Sequence, residues 1–193
     1  MPIAITIIKD EHRALASVLK GLQYLVEGIR NEGHAPDFPL MRSMLDYIEQ
    51  FPDRLHHPKE DQYVFPVLRQ RDPSSAADLD ILEAEHDSGP GFIARVGAAL
   101  AAYQGDASRL AEFAQAVDDY AQYQWAHMNR EEEVILPLAL KALQPEDWIE
   151  IDKAFKSNND PLVGVERQKE FRELFRKVVN LMPAPMGLGP ERR

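Results

Sequence analysis

The chain has no cysteine among its 193 residues. Disulfides, thiolate metal ligands, iron–sulfur clusters and thiol nucleophiles are therefore excluded, which leaves His, Asp and Glu as the strong metal ligands. Long apolar runs are also missing, since no stretch of about 18 residues is apolar enough to span a bilayer. The opening residues MPIAITIIKDEH lack the basic region and the cleavage site of a signal peptide. We expect a cytoplasmic protein.

Basic residues are scarce as well, because 22 Lys and Arg stand against 32 Asp and Glu and give a formal net charge of −10. Nucleic acids and anionic membrane surfaces bind proteins through a basic face, so the charge argues against both as partners. Hydrophobic residues make up 45% of the chain. That content suffices for one core of ordinary domain size with a short appendage.

Four long stretches within residues 1–144 repeat apolar residues at steps of three and four, as helices with one buried face do. Each predicted inward line carries a histidine: His12, His56, His86 and His127. The second line is predicted to continue through Tyr63 and Val67, and the fourth through Val134 and Leu138. Short loops join the stretches, so the fold class is predicted to be all-α, an up-down-up-down four-helix bundle.

Residues 145–182 are predicted to form a C-terminal helical extension. A helix start is indicated at Pro145-Glu-Asp-Trp148, and a second amphipathic stretch includes Phe171, Leu174, Phe175, Val178 and Leu181. This segment has too little core to stand alone, so we expect it to pack on the bundle or on a second copy of the chain, which would give a homodimer. Residues 183–193 are predicted to be a flexible tail.

Two segments of the chain repeat one pattern. HHPKEDQYVFPVL begins at His56, and HMNREEEVILPLA begins at His127. Both have His first, Glu fifth, an acid sixth and an apolar residue followed by Pro at the tenth and eleventh positions. Glu11-His12 and Glu85-His86 precede them in matching helices. The repeat predicts two similar helical hairpins, each with one single His and one His-x-x-x-Glu pair.

Helix geometry explains why the repeated pair matters. At 3.6 residues per turn, a residue four positions on is rotated by only about 40°, so His56 projects with Glu60, and His127 with Glu131. With the two single histidines, a bundle core would gather four imidazoles and two carboxylates, which suits a two-metal site with bridging carboxylates. Burying two unpaired glutamates would cost several kcal/mol each, so such a core requires cations or protonated partners.

A bundle with a merely structural polar core is the competing interpretation. One histidine on an apolar line is more often a hydrogen-bonded core residue than a ligand, and one His-x-x-x-Glu pair arises by chance on many helices. Four such histidines, two of them paired with Glu in repeated contexts, favour the metal site.

His57 and Asp61 have the same spacing as His56 and Glu60, so periodicity permits either pair to face inward. Only His56 with Glu60 aligns with the second copy when the apolar-Pro pairs are superposed. His57 is therefore predicted to face outward or to lie outside the direct ligands. Asp61, like Glu132 in the second copy, is predicted to orient a ligand or to be solvated.

The order His, His-x-x-x-Glu, Glu-His, His-x-x-x-Glu, with Phe65-Pro66 and Leu136-Pro137 after the pairs, resembles the hemerythrin-like (HHE cation-binding) family over residues from about 5 to 143. Elements of the C-terminal part resemble bacterial members. The resemblance implies a non-haem di-iron centre, two iron ions with an oxo or hydroxo bridge, although manganese or zinc also accepts such ligands. The implied metal ligands are His12, His56, Glu60, His86, His127 and Glu131.

The chain departs from oxygen-carrying members of that family, which have His-x-x-x-His in the third helix and His-x-x-x-x-Asp in the fourth. Here Pro90 stands four residues after His86, and Glu132 five residues after His127. We therefore expect one imidazole fewer and coordination positions left for water or small ligands, which argues against simple oxygen carriage. His34 corresponds to a loop histidine of some iron-cluster-repair relatives and is interpreted as a surface residue.

Three functions are compatible with this pattern. The first is a di-iron protein that binds or senses iron and small ligands such as oxygen or nitric oxide. The second is an oxidoreductase with the same site, acting on nitric oxide or peroxide or in iron-centre repair, although the lack of cysteine argues against thiol-dependent repair. The third is a metal-free structural bundle. The partner in the first two is a small diatomic molecule or peroxide, and the sequence assigns no catalytic residue.

Overall fold

A computed structural model describes residues 1–158, 174, 176–178 and 180–181. The tail predicted at 183–193 lies outside the described residues, and so do Phe171 and Phe175 of the second amphipathic stretch in the extension. Leu174 and Val178 of that stretch are described and are buried against the rest of the chain.

Within residues 1–158, five helices follow one another, and the described residues among 174–181 are helical as well. The five helices are α1 (Ile3–Glu32), α2 (38–71), α3 (Ala76–Gly105), α4 (110–142) and α5 (Asp147–Lys156). Helices α1 to α4 contact one another in a closed ring, α1 against α2, α2 against α3, α3 against α4 and α4 against α1. The prediction of an all-α, up-down-up-down four-helix bundle with a helical extension is confirmed. No helix of the described residues is both long and apolar enough to cross a bilayer.

Local chemistry sets the ends of several helices. Helix α1 stops at Gly33, whose φ of 71° is a left-handed conformation that glycine adopts without a steric penalty. Helix α2 begins behind Asp37, whose side chain accepts a hydrogen bond from the backbone N–H of Leu40. Asp72 and Asp106 accept equivalent bonds in the single turns of 3₁₀ helix that precede α3 and α4.

Three wide π turns interrupt the α geometry, two in α2 (Pro52–His56 and Glu60–Val64) and one in α4 (Glu131–Ile135). The backbone N–H groups that close them belong to His57, Phe65 and Leu136, and each bonds the carbonyl five residues back. A proline follows each of these three residues directly. Because a proline ring clashes with the carbonyl four residues before it, the helix widens there instead of continuing as a regular α-helix.

The π turns correct the inward lines predicted for the second and fourth helices. Beyond Glu60 the buried residues of α2 are Val64, Phe65 and Leu68, and beyond Glu131 those of α4 are Ile135, Leu136 and Ala139. The predicted positions Tyr63, Val67, Val134 and Leu138 are only partly buried. A π turn holds one residue more than an α turn, so every later residue is shifted by one position relative to the 3.6-residue period.

The core consists of two apolar clusters with a polar layer between them. One cluster includes Leu19, Met44 and Phe113, and the other includes Ile5, Phe65 and Ile135. Helix α5 packs against α1 and contributes Trp148, Ile151 and Phe155 to the second cluster. Along each of the four long helices, the histidines predicted as ligands lie between the two clusters.

Candidate metal centre

Seven buried side chains form the layer between the two apolar clusters, which we call the polar belt. They are His12, His56, His57, Glu60, His86, His127 and Glu131. One potential ligand atom from each of His12, His56, Glu60 and Glu131 lies within 4.8 Å of the others, and the same holds for His57, His86 and His127. The structure therefore brings the six predicted ligand residues together with one further imidazole, in two adjacent groups.

Four histidines of the belt are held from behind by carboxylates. The Nδ1 atom of His12 lies 2.9 Å from Glu132, that of His56 2.7 Å from Glu11, that of His86 2.7 Å from Asp61, and that of His127 2.8 Å from Glu85. An Nδ1–H that donates to a carboxylate fixes the tautomer and turns the basic Nε2 atom toward the centre of the bundle. Four rings are thus oriented in one common way.

The pairing follows the sequence repeat. In each hairpin, the acid one position before the single histidine supports the histidine of the His-x-x-x-Glu pair. The acid five positions after that paired histidine supports the single histidine of the other hairpin. Asp61 and Glu132 therefore contact histidines that are predicted ligands, in line with one of the two predicted alternatives, whereas the contacts of Glu11 and Glu85 were not predicted. Their repetition as Glu-His in both copies was the available signal.

The inward atoms of the belt are spaced as ligands of a common ion. Nε2 of His56 lies 3.3 Å from Glu60 Oε2, and Nε2 of His127 lies 3.4 Å from Glu131 Oε1. Nε2 of His86 lies 3.7 Å from both carboxylates. Most of these distances are too long for hydrogen bonds, but two ligands that are each about 2.1 Å from one ion lie roughly 3–4 Å apart.

Several of these atoms are buried without a hydrogen-bond partner. They are Nε2 of His56, His86 and His127, Oε2 of Glu60, and both oxygens of Glu131. A buried polar atom without a partner costs about 1–3 kcal/mol, and more if it is charged. Since the atoms are nitrogen and oxygen donors that converge on two points, divalent cations satisfy them and the donor set fits the group that the sequence implies.

Without a cation, protons balance the buried carboxylates. Burial opposes protonation of His12, but the adjacent carboxylates of Glu131 and Glu132 outweigh it and raise the pKa of His12 to about 8. Burial likewise opposes protonation of His86, and pairing with Asp61 and Glu131 raises its pKa to about 10. Burial favours the neutral form of Glu131, yet the surrounding imidazoles lower its pKa well below the usual value. The metal-free belt therefore holds imidazolium–carboxylate pairs at neutral pH.

The structure contradicts the outward orientation that was one of the two alternatives predicted for His57, and whether His57 lies outside the direct ligands stays a prediction. Its side chain is buried and lies directly behind the π turn at Pro52–His56. Its ring stacks on His86 with centroids 4.3 Å apart and meets His127 edge to face at 5.1 Å. Alignment with the second copy offered a signal for burial, since the counterpart of His57 is the apolar and buried Met128.

Comparison with protein families decides the identity of the bundle. The model of the hemerythrin HHE cation-binding domain matches residues 3–139, which is most of the chain. The chain belongs to the hemerythrin HHE family. No curated protein and no solved structure matches it.

The matched HHE segment contains the whole polar belt and ends before α5. Residues beyond that segment nevertheless reach the belt. Phe155 of α5 meets the ring of His56 edge to face at 6.2 Å, and Asn158 donates to Glu11 Oε2 at 3.1 Å. Lys59 donates to Ser157 and to Asn158 and so ties the same segment to α2. The extension therefore helps to hold the Glu11–His56 pair of the HHE domain.

His34 takes no part in the belt of this HHE domain. It lies in the loop after α1, its side chain is 59% exposed, and its ring pairs with Glu32 at 3.3 Å. The interpretation of His34 as a surface residue agrees with this position. Its exposure makes it a matched control for substitutions at the buried histidines.

A small cavity adjoins the belt on the side of α1 and α2. The surface that faces it is mostly apolar, with Leu15, Phe51, Leu55 and Met128 among the lining residues, and Glu11 and Asn158 also line it. The histidines at its inner wall are His12, His56, His57 and His127. An apolar cavity that ends on potential ligand atoms admits small uncharged molecules more readily than ions, because ions lose their hydration there.

Proposed function

We propose that this protein binds two iron ions in its polar belt and uses them to bind or sense small ligands such as oxygen or nitric oxide. The residues that would hold the ions are His12, His56, Glu60, His86, His127 and Glu131. One observation carries the proposal: buried nitrogen and oxygen donors converge without hydrogen-bond partners, at the spacing of ligands around a common ion. Cation binding is also the property named in the description of the family.

The arrangement of the carboxylates supports two ions in preference to one. Glu131 directs Oε2 toward His12, at 3.0 Å, and Oε1 toward His127 and His86. Oε2 of Glu60 lies between His56 and His86. Each carboxylate therefore contacts both groups of the belt, as a bridge between neighbouring ions does.

The apolar surface of the cavity supports the proposal that the ligand is small and uncharged. It reaches the belt at the rings of His12, His56, His57 and His127, so a ligand in it would lie beside either ion. Bound iron would supply the electrons and the open coordination position for such a ligand. The chain itself orients the imidazoles through Glu11, Asp61, Glu85 and Glu132, and it limits the size of what enters.

Metal analysis of the purified protein, grown with iron and compared with a Glu131→Gln variant, tests the proposal. We expect two iron ions per wild-type chain and near-ultraviolet charge-transfer bands in the oxidised protein. Removing one charge from a fully buried bridging carboxylate should lower the iron content to one ion or none. Glu133→Gln, at an exposed position in the same turn, is the control and should keep both ions. Wild-type protein that takes up no metal would leave the structural bundle as the function.

A steady-state turnover assay distinguishes a binding or sensing role from catalysis. If the iron-loaded protein binds nitric oxide stoichiometrically but does not consume it or peroxide in the steady state, the role is binding or sensing. Sustained consumption that disappears with Glu131→Gln would instead assign the oxidoreductase function to the same site.

A further inference from the structure

His57 and Asp53 are a buried polar pair that the six proposed ligands do not explain. The side chain of Asp53 is 3% exposed and that of His57 is 7% exposed. Nδ1 of His57 lies 3.5 Å from Oδ1 of Asp53, and neither this nitrogen nor either oxygen of Asp53 has a hydrogen-bond partner. Burying both groups costs free energy that the fold does not recover through their hydrogen bonds. A function for the pair would account for their burial.

The other four histidines of the belt show what such a pair does. Each places a carboxylate at Nδ1 and directs Nε2 toward the belt. His57 has a carboxylate on the same ring atom, only farther away, which leaves Nε2 as the atom available to an ion. Asp53 and His57 thus form a fifth carboxylate–imidazole pair of the same kind.

The position of His57 relative to its neighbours assigns it to one of the two groups. Its ring is stacked parallel to His86, with 12° between the planes, and a nitrogen atom of His57 lies within 4.8 Å of nitrogen atoms of His86 and His127. The other group already holds two imidazoles and two carboxylates, whereas this group has only the imidazoles of His86 and His127 without it. The place four residues after His86, from which a second imidazole of α3 would project, is occupied by Pro90.

We propose that His57 is a ligand of the ion held by His86 and His127, and that Asp53 is the residue that positions it. The belt then supplies five imidazoles, the fifth coming from α2 instead of α3, so the expectation of one imidazole fewer no longer holds. This inference rests on the proposed function, since it requires two ions in the belt. It adds Asp53 and His57 to the residues that determine how tightly the second ion binds.

Titration of the metal-free, full-length protein with ferrous iron under anaerobic conditions tests the assignment. Wild-type protein should bind two ions. His57→Gln should keep the affinity for the first ion within about threefold and lose at least about 100-fold in affinity for the second. Asp53→Asn should weaken the second ion by about 10–100-fold, the range for residues that orient a ligand. His34→Gln, the same substitution at an exposed histidine, should change neither.

Thermal unfolding of each metal-free variant shows whether it is folded. If His57→Gln fails to fold, the Asp53→Asn titration decides alone. The inference is overturned if the tested variant binds two ions with wild-type affinity. It is also overturned if a folded variant loses affinity equally for both ions. In either case the proposed function stands. Wild-type protein that binds no iron, or only one ion, overturns the inference at its premise, and no binding at all also removes the proposed function.

Discussion

At the scale of single residues, the orientation of the imidazoles depends on acids that touch no proposed ion. Glu11 supports His56 and Glu85 supports His127, in equivalent places of the two hairpins. The convergence of the proposed ligand histidines was predictable from periodicity and repetition, because both depend on spacing alone. Their supporting acids were not, because the partner of each lies on another helix and only the packing of the bundle pairs them.

Replacing either supporting acid should therefore weaken metal binding without removing a ligand. Glu11→Gln and Glu85→Gln are each expected to lower the affinity for one ion by about 10–100-fold, because a neutral amide no longer fixes the basic tautomer of its histidine. Competition with a chelator of known affinity measures the change. Glu133→Gln, which is exposed, should behave as wild type. If Glu11→Gln and Glu85→Gln bound iron with the same affinity as Glu133→Gln and the wild type, the role of the supporting acids would be contradicted.

Proton release is the second consequence at this scale. His12, with a pKa of about 8, and His86, with a pKa of about 10, are both protonated at pH 7 in the metal-free protein. An ion binds neutral imidazole, so loading the belt must release at least two protons, and the affinity must rise as the pH increases from 6 to 8. Calorimetric titration in two buffers of different ionisation enthalpy counts the protons. A pH-independent affinity would contradict the pairing of these rings with protons.

At the scale of secondary structure, the prolines determine which residues face the belt. The 3.6-residue period predicted the four helices and the inward positions up to Glu60 and Glu131. It failed beyond them because the π turns that precede Pro66 and Pro137 shift the later residues by one position. Pro66 and Pro137 occupy the same position in the two copies of the repeat. Pro58 has Asn129 as its counterpart, and α4 has no π turn there.

Pro58 is therefore expected to affect how closely His57 approaches His86, although Met128, the counterpart of His57, is buried without a π turn before it. Pro58→Asn restores the backbone N–H and removes the ring, so the helix can close with regular α turns and shift the ring of His57 relative to that of His86. We expect the affinity for the second ion to fall at least tenfold, as measured by ferrous iron titration. The free energy of unfolding should not decrease, because an interior proline costs a helix about 3 kcal/mol.

Pro145→Ala, at an exposed proline outside the bundle, is the matched control and should bind iron as wild type does. Unchanged binding of both ions by Pro58→Asn would show that packing, and not the proline, holds His57 in the belt.

At the scale of the whole molecule, the domain and its extension share one core. The family match ends at residue 139. Helix α5 nevertheless contributes to the apolar cluster that includes Ile5, Phe65 and Ile135, and it contacts His56 through Phe155. The sequence predicted that this segment packs either on the bundle or on a second copy. The amphipathic pattern of the segment could not distinguish the two arrangements, since the same apolar face would be buried in either of them. Residues 147–156 lie on the bundle of their own chain, and dimerisation stays a prediction.

Phe155 should therefore contribute to the stability of the entire bundle. Phe155→Ala is expected to lower the free energy of unfolding by about 3–5 kcal/mol, because the ring is fully buried and leaves a cavity. Urea denaturation of the metal-free protein measures the loss. Ile149→Ala on the same helix is the control, since Ile149 is 64% exposed and should change stability by less than about 0.5 kcal/mol. Similar losses in both variants would show that α5 does not share the core.

Ions bound in the belt would also cross-link the chain. His12 and Glu131, which face one another across the centre of the bundle, lie more than 100 residues apart in sequence. An ion held by both closes a loop of that length, for which the chain-entropy treatment of disulfides gives about 4–5 kcal/mol. In a chain that has no cysteine, metal ions would thus serve as reversible cross-links. The supply of iron would then affect the free energy of unfolding as well as the chemistry of the site.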